Sequence, residues 1–122
     1  MTQQIINFIH EMYGVKPEYL FKSTPHNGIF RIQRNRKWFA VLLSSLPLEK
    51  LGLNSEKKAD VLNLKCDPIL SFNVVDNERI FPAYHMNKEH WISVVLDGSV
   101  PFEELQMLVS LSYELVNTGK KR

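Results

Sequence analysis

A single cysteine, Cys66, stands among the 122 residues, so the chain cannot close an internal disulfide. Such sparing use of cysteine fits a reducing, cytoplasmic setting. Gly14, Gly28, Gly52, Gly98 and Gly119 are too far apart to form a phosphate-cradling loop. No serine sits in a G-x-S-x-G turn, and the acids are scattered without a paired arrangement. These absences point away from an enzyme and leave no catalytic residue to name. No apolar run approaches the ~20 residues that cross a bilayer, so no membrane partner is expected. The opening MTQQIINFIHEMY lacks a basic n-region and is interrupted by Glu11, so it reads as a helix rather than a signal peptide.

What is present suits a globular domain. Hydrophobic residues make up 44% and charged residues 23%, enough apolar content for one core and too balanced for disorder. A single domain over residues 1–119 is expected, with Lys120, Lys121 and Arg122 as a basic tail. The net charge is +2, and the pI of 8.7 falls short of the value above ~9 typical of a strongly basic nucleic-acid binder. Charge is unevenly spread. Residues 1–60 carry nine Lys or Arg against five acids, and residues 61–122 carry six against eight. The resulting dipole can orient a polyanion.

Periodicity predicts helices at 2–13 and 101–117. Thr2 is placed to cap the first, Ile5, Ile9 and Met12 recur on one face with Ile6 and Tyr13, and Gly14 ends it. Pro101 opens the last helix, Glu103 and Glu104 suit its first turn, and Phe102, Leu105, Leu108, Val109, Ser112, Leu115 and Val116 mark its buried stripe. Gly119 is expected to cap it. Residues 28–33 and 38–43 read as the two strands of a β-hairpin with the polar turn RNRK between them, Asn35 taking the left-handed conformation. Residues 44–58 read as a loop. Residues 61–66 alternate, with Leu62, Leu64 and Cys66 on one face and Asn63 and Lys65 on the other. Asp67-Pro68 is a helix start, but the ILSFNVV that follows is ambiguous between helix and strand. A short extended piece at Ile80 and Phe81 and a strong strand at 91–96 complete the set. Helices bracketing strands without βαβ alternation give an α+β fold, an antiparallel β-sheet with N- and C-terminal helices packed on one face.

Four stretches, KCDP at 65–68, PAYHMNKEHW at 82–91, LDGSVP at 96–101 and SYELV at 112–116, occur in this order. Through them the chain resembles the MmcQ/YjbR family of small bacterial proteins over nearly its whole length. The resemblance implies an α+β domain related in outline to the frataxin-like and secretion-chaperone-like folds. It also implies DNA binding by a double-wing arrangement of projecting β elements. Two positions depart from the family pattern. Ala83 stands where relatives have PGYH, so the backbone there needs no positive φ. Glu89 stands where relatives have NKRHW, which puts an anion in place of a cation and weakens any phosphate contact from that turn.

Two groups of residues are candidate sites. Arg31, Arg34, Arg36 and Lys37 gather at the hairpin, followed by Trp38. A cationic β wing can track a phosphate backbone, and the arginine fork donates bidentately to phosphate. The same charges also suit a solvated turn that blocks edge pairing. The second group is Tyr84, His85, Asn87, Lys88, His90 and Trp91. It reads as a structural corner in which Asn87 caps one helical turn and Tyr84 and Trp91 bury their rings, or as a small-anion or ligand pocket. His85 and His90 are five apart, ~140° around a helix, so the spacing does not build a metal site. Cys66, on an apolar strand face, reads as a small buried hydrophobe.

The expected protein is therefore small, cytoplasmic and non-catalytic, without cofactor or metal. DNA is its expected partner, held weakly, in a salt-dependent and largely sequence-independent way. The alternative is a protein- or small-ligand-interaction module using the sheet face or the His85/His90 corner. Met107 and Leu111 are surplus apolar residues of the last helix that leave monomer or weak dimer open.

Overall fold

Helix α1 spans Thr2–Tyr13 and closes on Gly14, whose φ of 70° lets its N–H reach the His10 carbonyl. Ile5 and Ile9, one turn apart, are fully buried. Thr2 does not cap this helix. Met1 occupies the cap, and the Thr2 hydroxyl instead donates to Asp60 Oδ2 at 2.5 Å. Met12, expected in the buried stripe, is exposed. Tyr13 makes the contact at that turn, stacking on Tyr113 with ring centroids 3.8 Å apart. These elements belong to a computed structural model that describes residues 1–118. Gly119 and the basic tail at 120–122 lie outside the described residues.

Strands β1 (Gly28–Arg31), β2 (Trp38–Pro47), β3 (Lys58–Lys65), β4 (Ile80–Pro82) and β5 (Trp91–Val95) form one antiparallel sheet in the order β1-β2-β3-β5-β4. The expected hairpin is β1 and β2. Its register shifts where Phe30 pairs with Ala40 but Arg31 pairs with Trp38, leaving Phe39 as the extra residue of a bulge. The bulge turns Phe39 into the helix-side core, against Phe30 and Tyr113. At the tip, Arg36 takes the left-handed backbone in place of Asn35, with φ 64°. The Asn35 side chain is used differently: its Oδ1 accepts the Lys37 N–H at 2.9 Å.

Residues 44–58 are not one loop. β2 continues through Pro47, a 3₁₀ turn follows at Leu48–Leu51, and β3 begins at Lys58. Side-chain acceptors explain the continuation. Where the β2–β3 register shifts, Asn27 Oδ1 takes the Ser44 N–H at 2.7 Å and Asp60 Oδ1 takes the Ser45 N–H at 2.9 Å. The strand thus crosses an irregularity without orphaned donors. The ambiguous ILSFNVV is helical: α2 spans Pro68–Val74, capped by Asp67, whose carboxylate accepts the Leu70 N–H at 2.8 Å.

Helix α3 (Phe102–Thr118) packs with α1 on one face of the sheet. Leu105, Leu108 and Val109 close on Leu62, Leu64, Ile92 and Val94, each fully buried aliphatic side chain contributing about 1.5–3 kcal/mol. Ser112 is also buried, and its hydroxyl donates to the Phe39 carbonyl. The opposite face is not bare. Ile29, Val41, Ala83 and Trp91 form one small cluster, and Leu48, Val61, Phe81 and Val95 another. Among the described residues no helix is long and apolar enough to cross a membrane.

Candidate functional site

The register brings two tryptophans and several cations to one end of the sheet. Arg31 pairs with Trp38 across β1 and β2, and Lys65 pairs with Trp91 across β3 and β5. β2 neighbours β3, so both pairs lie at the same end of the sheet, just beyond the Ala40–Leu64 pairing of β2 with β3. The Arg31 guanidinium lies 6.0 Å from the Trp38 ring centroid, and Lys65 Nζ lies 5.3 Å from that of Trp91. Trp91 is buried, at 6% exposure, so it serves as a seat for the Lys65 ammonium rather than as a stacking platform. Beside this row opens a cleft of about 650 Å³ lined by Lys37, Trp38, Lys65, Asp67, His90 and Trp91, with α3 closing it through Leu115 and Val116.

The hairpin tip does not project as a detached wing. Arg34 donates from Nε and Nη2 to Asn117 Oδ1 and from Nη2 to the Asn117 carbonyl. Asn35 Nδ2 donates to the Val116 carbonyl at 3.0 Å. The tip thus satisfies carbonyls at the end of α3, where the helix dipole favours a cation. Arg31 and Arg36 share one carboxylate, Glu18, at 3.2 and 3.5 Å. Lys37 is exposed and faces the cleft.

The corner at 82–91 is built mostly from backbone contacts. Asn87 Oδ1 accepts the Glu89 N–H at 2.8 Å and the Asn87 carbonyl accepts the His90 N–H at 3.2 Å, so the expected single turn is present. The His90 carbonyl accepts from Cys66 N–H at 2.8 Å. Lys88 Nζ donates to the Ala83 carbonyl at 2.7 Å and is thereby turned inward. Ala83 is buried without a positive φ, and the left-handed residue of this turn is His85, at 61°. The turn is pinned to the sheet by two polar residues that alternation alone assigns differently. Asn63, expected on the solvent side, is 1% exposed. Its Nδ2 donates to the Tyr84 carbonyl at 3.0 Å, its Oδ1 accepts the Ser93 hydroxyl, and Ser93 Oγ accepts the Tyr84 N–H at 2.9 Å. This arrangement separates the two histidines. His90 faces the cationic cleft, while Tyr84 and His85 line a second cleft on the other side of Trp38. Tyr84, His85, Lys88 and His90 therefore do not converge on a common ligand.

Lys65, Asp67 and the end of α3 escaped the sequence-based list of site residues. The alternation at 61–66 already placed Lys65 on the face away from the core, but only strand order sets it between the two tryptophans. Cys66 is buried, and burial, helped by the neighbouring Asp67 charge, pushes its thiol up to about 11. A thiol held neutral in this way is a poor nucleophile. At the β4 approach, Asp76 is slightly buried, which works to raise its carboxyl. The N–H groups of Arg79, Ile80 and Glu78, with the Arg79 guanidinium, outweigh this and hold it well below the usual carboxylate range. Among the described residues, no three His, Cys, Asp or Glu are placed to hold a metal ion.

Known proteins share both the sequence and the fold. The Bacillus subtilis (strain 168) protein YyaQ is 40% identical over 113 residues, covering 93% of this chain and 95% of that protein. YbdF of Escherichia coli O157:H7 is 40% identical over 62 residues, 48% of each chain. A crystal structure of a Pseudomonas syringae protein superposes with a TM-score of 0.88 at 39% identity, covering 94% of this chain and 97% of that one. The Deinococcus radiodurans protein DR2400 shares the fold, with a TM-score of 0.74 at 23% identity over all of this chain and 83% of that one. The sequence profile of the YjbR family matches residues 10–115, and with these motifs, this sheet and these relatives the chain belongs to the YjbR family.

Proposed function

We propose that this protein is a small, cytoplasmic, non-catalytic module that holds DNA weakly through its phosphates. The observation that carries the reading is the cleft in which Lys37, Lys65 and His90 converge beside Trp38 and Trp91. One ring holds a cation in place before any ligand arrives: Lys65 sits over Trp91. A cation already ordered loses little side-chain entropy on meeting a phosphate. The hairpin contributes at its base rather than at its tip, because Arg34 is occupied at the end of α3 and Arg31 and Arg36 share Glu18. Asp67, at the cleft wall, opposes an approaching phosphate and limits affinity. Among the described residues the helix at the cleft, α3, meets it with Leu115 and Val116, apolar side chains that cannot hydrogen-bond to base edges, so contacts to the backbone dominate and sequence preference is slight.

The test is a fluorescence anisotropy titration of a generic duplex at low salt. Wild type should bind weakly, Lys37→Ala/Lys65→Ala should lose about tenfold or more in affinity, and Arg34→Ala should change it little. Equal affinity of wild type and the double lysine variant would remove this cleft from the mechanism. The absence of any wild-type binding would reject the DNA reading.

A further inference from the structure

We infer that the second cleft, between Trp38 and the turn carrying His85, is a binding site for a neutral, ring-bearing small molecule. The inference does not depend on the DNA reading, because the two clefts lie on opposite sides of Trp38 and share that side chain alone. The cleft has a volume of about 530 Å³, within the range of small-ligand sites. Its walls carry two pairs of rings. Phe21 meets Trp38 edge-on with centroids 6.5 Å apart, and Tyr84 meets His85 with centroids 4.0 Å apart. Val41, Leu43 and Met86 supply apolar floor, and Thr24, Ser44 and Ser45 supply hydroxyls at the rim. Among the described residues no lysine, arginine, aspartate or glutamate lines it. A charged ligand would lose hydration here and meet no ionisable side chain but the His85 imidazole and the Tyr84 phenol, so among the described residues the lining disfavours ions. Flat rings with one or two hydrogen-bonding groups match it.

A second, independent observation marks the same place. Among the described residues, four that are not glycine hold a left-handed backbone: Arg36, Ser45, Asn77 and His85. Two of them, Ser45 at φ 52° and His85 at φ 61°, line this cleft from opposite elements. Ser45 sits at the β2 irregularity, where Asp60 accepts its N–H. His85 sits in the turn that Asn63 and Ser93 pin through both backbone groups of Tyr84. Strained backbone held in place by surrounding bonds is concentrated where ligands are clamped. Here it shapes both lips of one opening.

Indole is a suitable probe, a neutral ring with a single N–H donor, and indole-3-acetate is its anionic counterpart. Both are titrated into the isotopically labelled protein, and amide shifts are followed by two-dimensional NMR. Indole should give saturable shifts at Ser44, Ser45, His85 and Met86. Affinity should fall about tenfold or more in Met86→Trp, which fills the floor, and in Thr24→Phe, which blocks the exposed rim without disturbing buried residues. Lys65→Ala should bind indole as wild type does, and indole-3-acetate should bind no more tightly than indole. Either an absence of saturable shifts or shifts that persist in both filled variants would overturn the inference. So would a preference for indole-3-acetate that is lost in Lys65→Ala, because the ring would then be bound in the cationic cleft.

Discussion

Single side chains here are most informative where they contradict simple alternation. Asn63 and Lys65 share a strand face, yet Asn63 is buried and Lys65 is half-exposed. The difference is made by the turn at 83–86, which covers Asn63 and takes its hydrogen bonds, and no local pattern announces a covering turn from twenty residues away. Trp91, in contrast, was legible as a buried ring from its place at the head of an apolar strand. Replacing it with Ala should cost roughly 3–5 kcal/mol, as for other buried aromatics, read from the denaturant midpoint. An unchanged midpoint would mean that the ring serves binding rather than packing. Cys66 carries a pH signature. Its thiol is held neutral up to about 11, against an ordinary value of 9.0. The folded state keeps its proton longer than the unfolded one. The contribution is therefore fully present below about pH 9 and is lost as pH rises toward about 11. Cys66→Ser should flatten the fall in melting temperature over that alkaline window, and an identical fall in both proteins would contradict the assignment.

At the scale of elements, the positions of the first and last helices and their lengths follow from caps and periodicity, while the hairpin's strand lengths do not. Gly14, Asp67 and Pro68 each mark an end that the structure confirms. β2 runs past its expected end because Asn27 and Asp60, distant in sequence, supply acceptors at Ser44 and Ser45. The hairpin tip shows the same dependence. RNRK is a polar turn on any local reading, and it becomes the terminal cap of α3 only because β2 and β3 pack under that helix. Asn35→Ala should therefore remove a bond to the Val116 carbonyl and destabilise the protein by about 1 kcal/mol, lowering the melting temperature by a few degrees, about 3–6 °C for a domain of this size. Amide exchange in the last turn of α3 should speed up in the same variant. A variant with unaltered melting and exchange would show that the tip merely rests on the helix.

For the whole molecule, periodicity and the order of helices and strands were enough to place the α+β plan, and the family resemblance carried by the four motifs is confirmed along the chain. The site was only half visible. The hairpin cations and the 82–91 corner stand out as sequence clusters, whereas the cleft depends on strand order, which sets β3 between β2 and β5 and brings Lys65 between two tryptophans. The fold redistributes the cations: Arg34 to the α3 terminus, Arg31 and Arg36 to Glu18, Lys88 to a carbonyl, and Lys37 and Lys65 to the cleft. The central claim is that this cleft meets phosphates. Its most direct test is the salt dependence of binding to a generic duplex, measured for wild type and for Lys37→Ala/Lys65→Ala. Two or three phosphate contacts, from Lys37, Lys65 and the neighbouring His90, at ~0.9 each predict a log–log slope of about −2 to −3, reduced in magnitude by roughly two in the double variant. A flat salt dependence in wild type, or the same slope in both proteins, would contradict it.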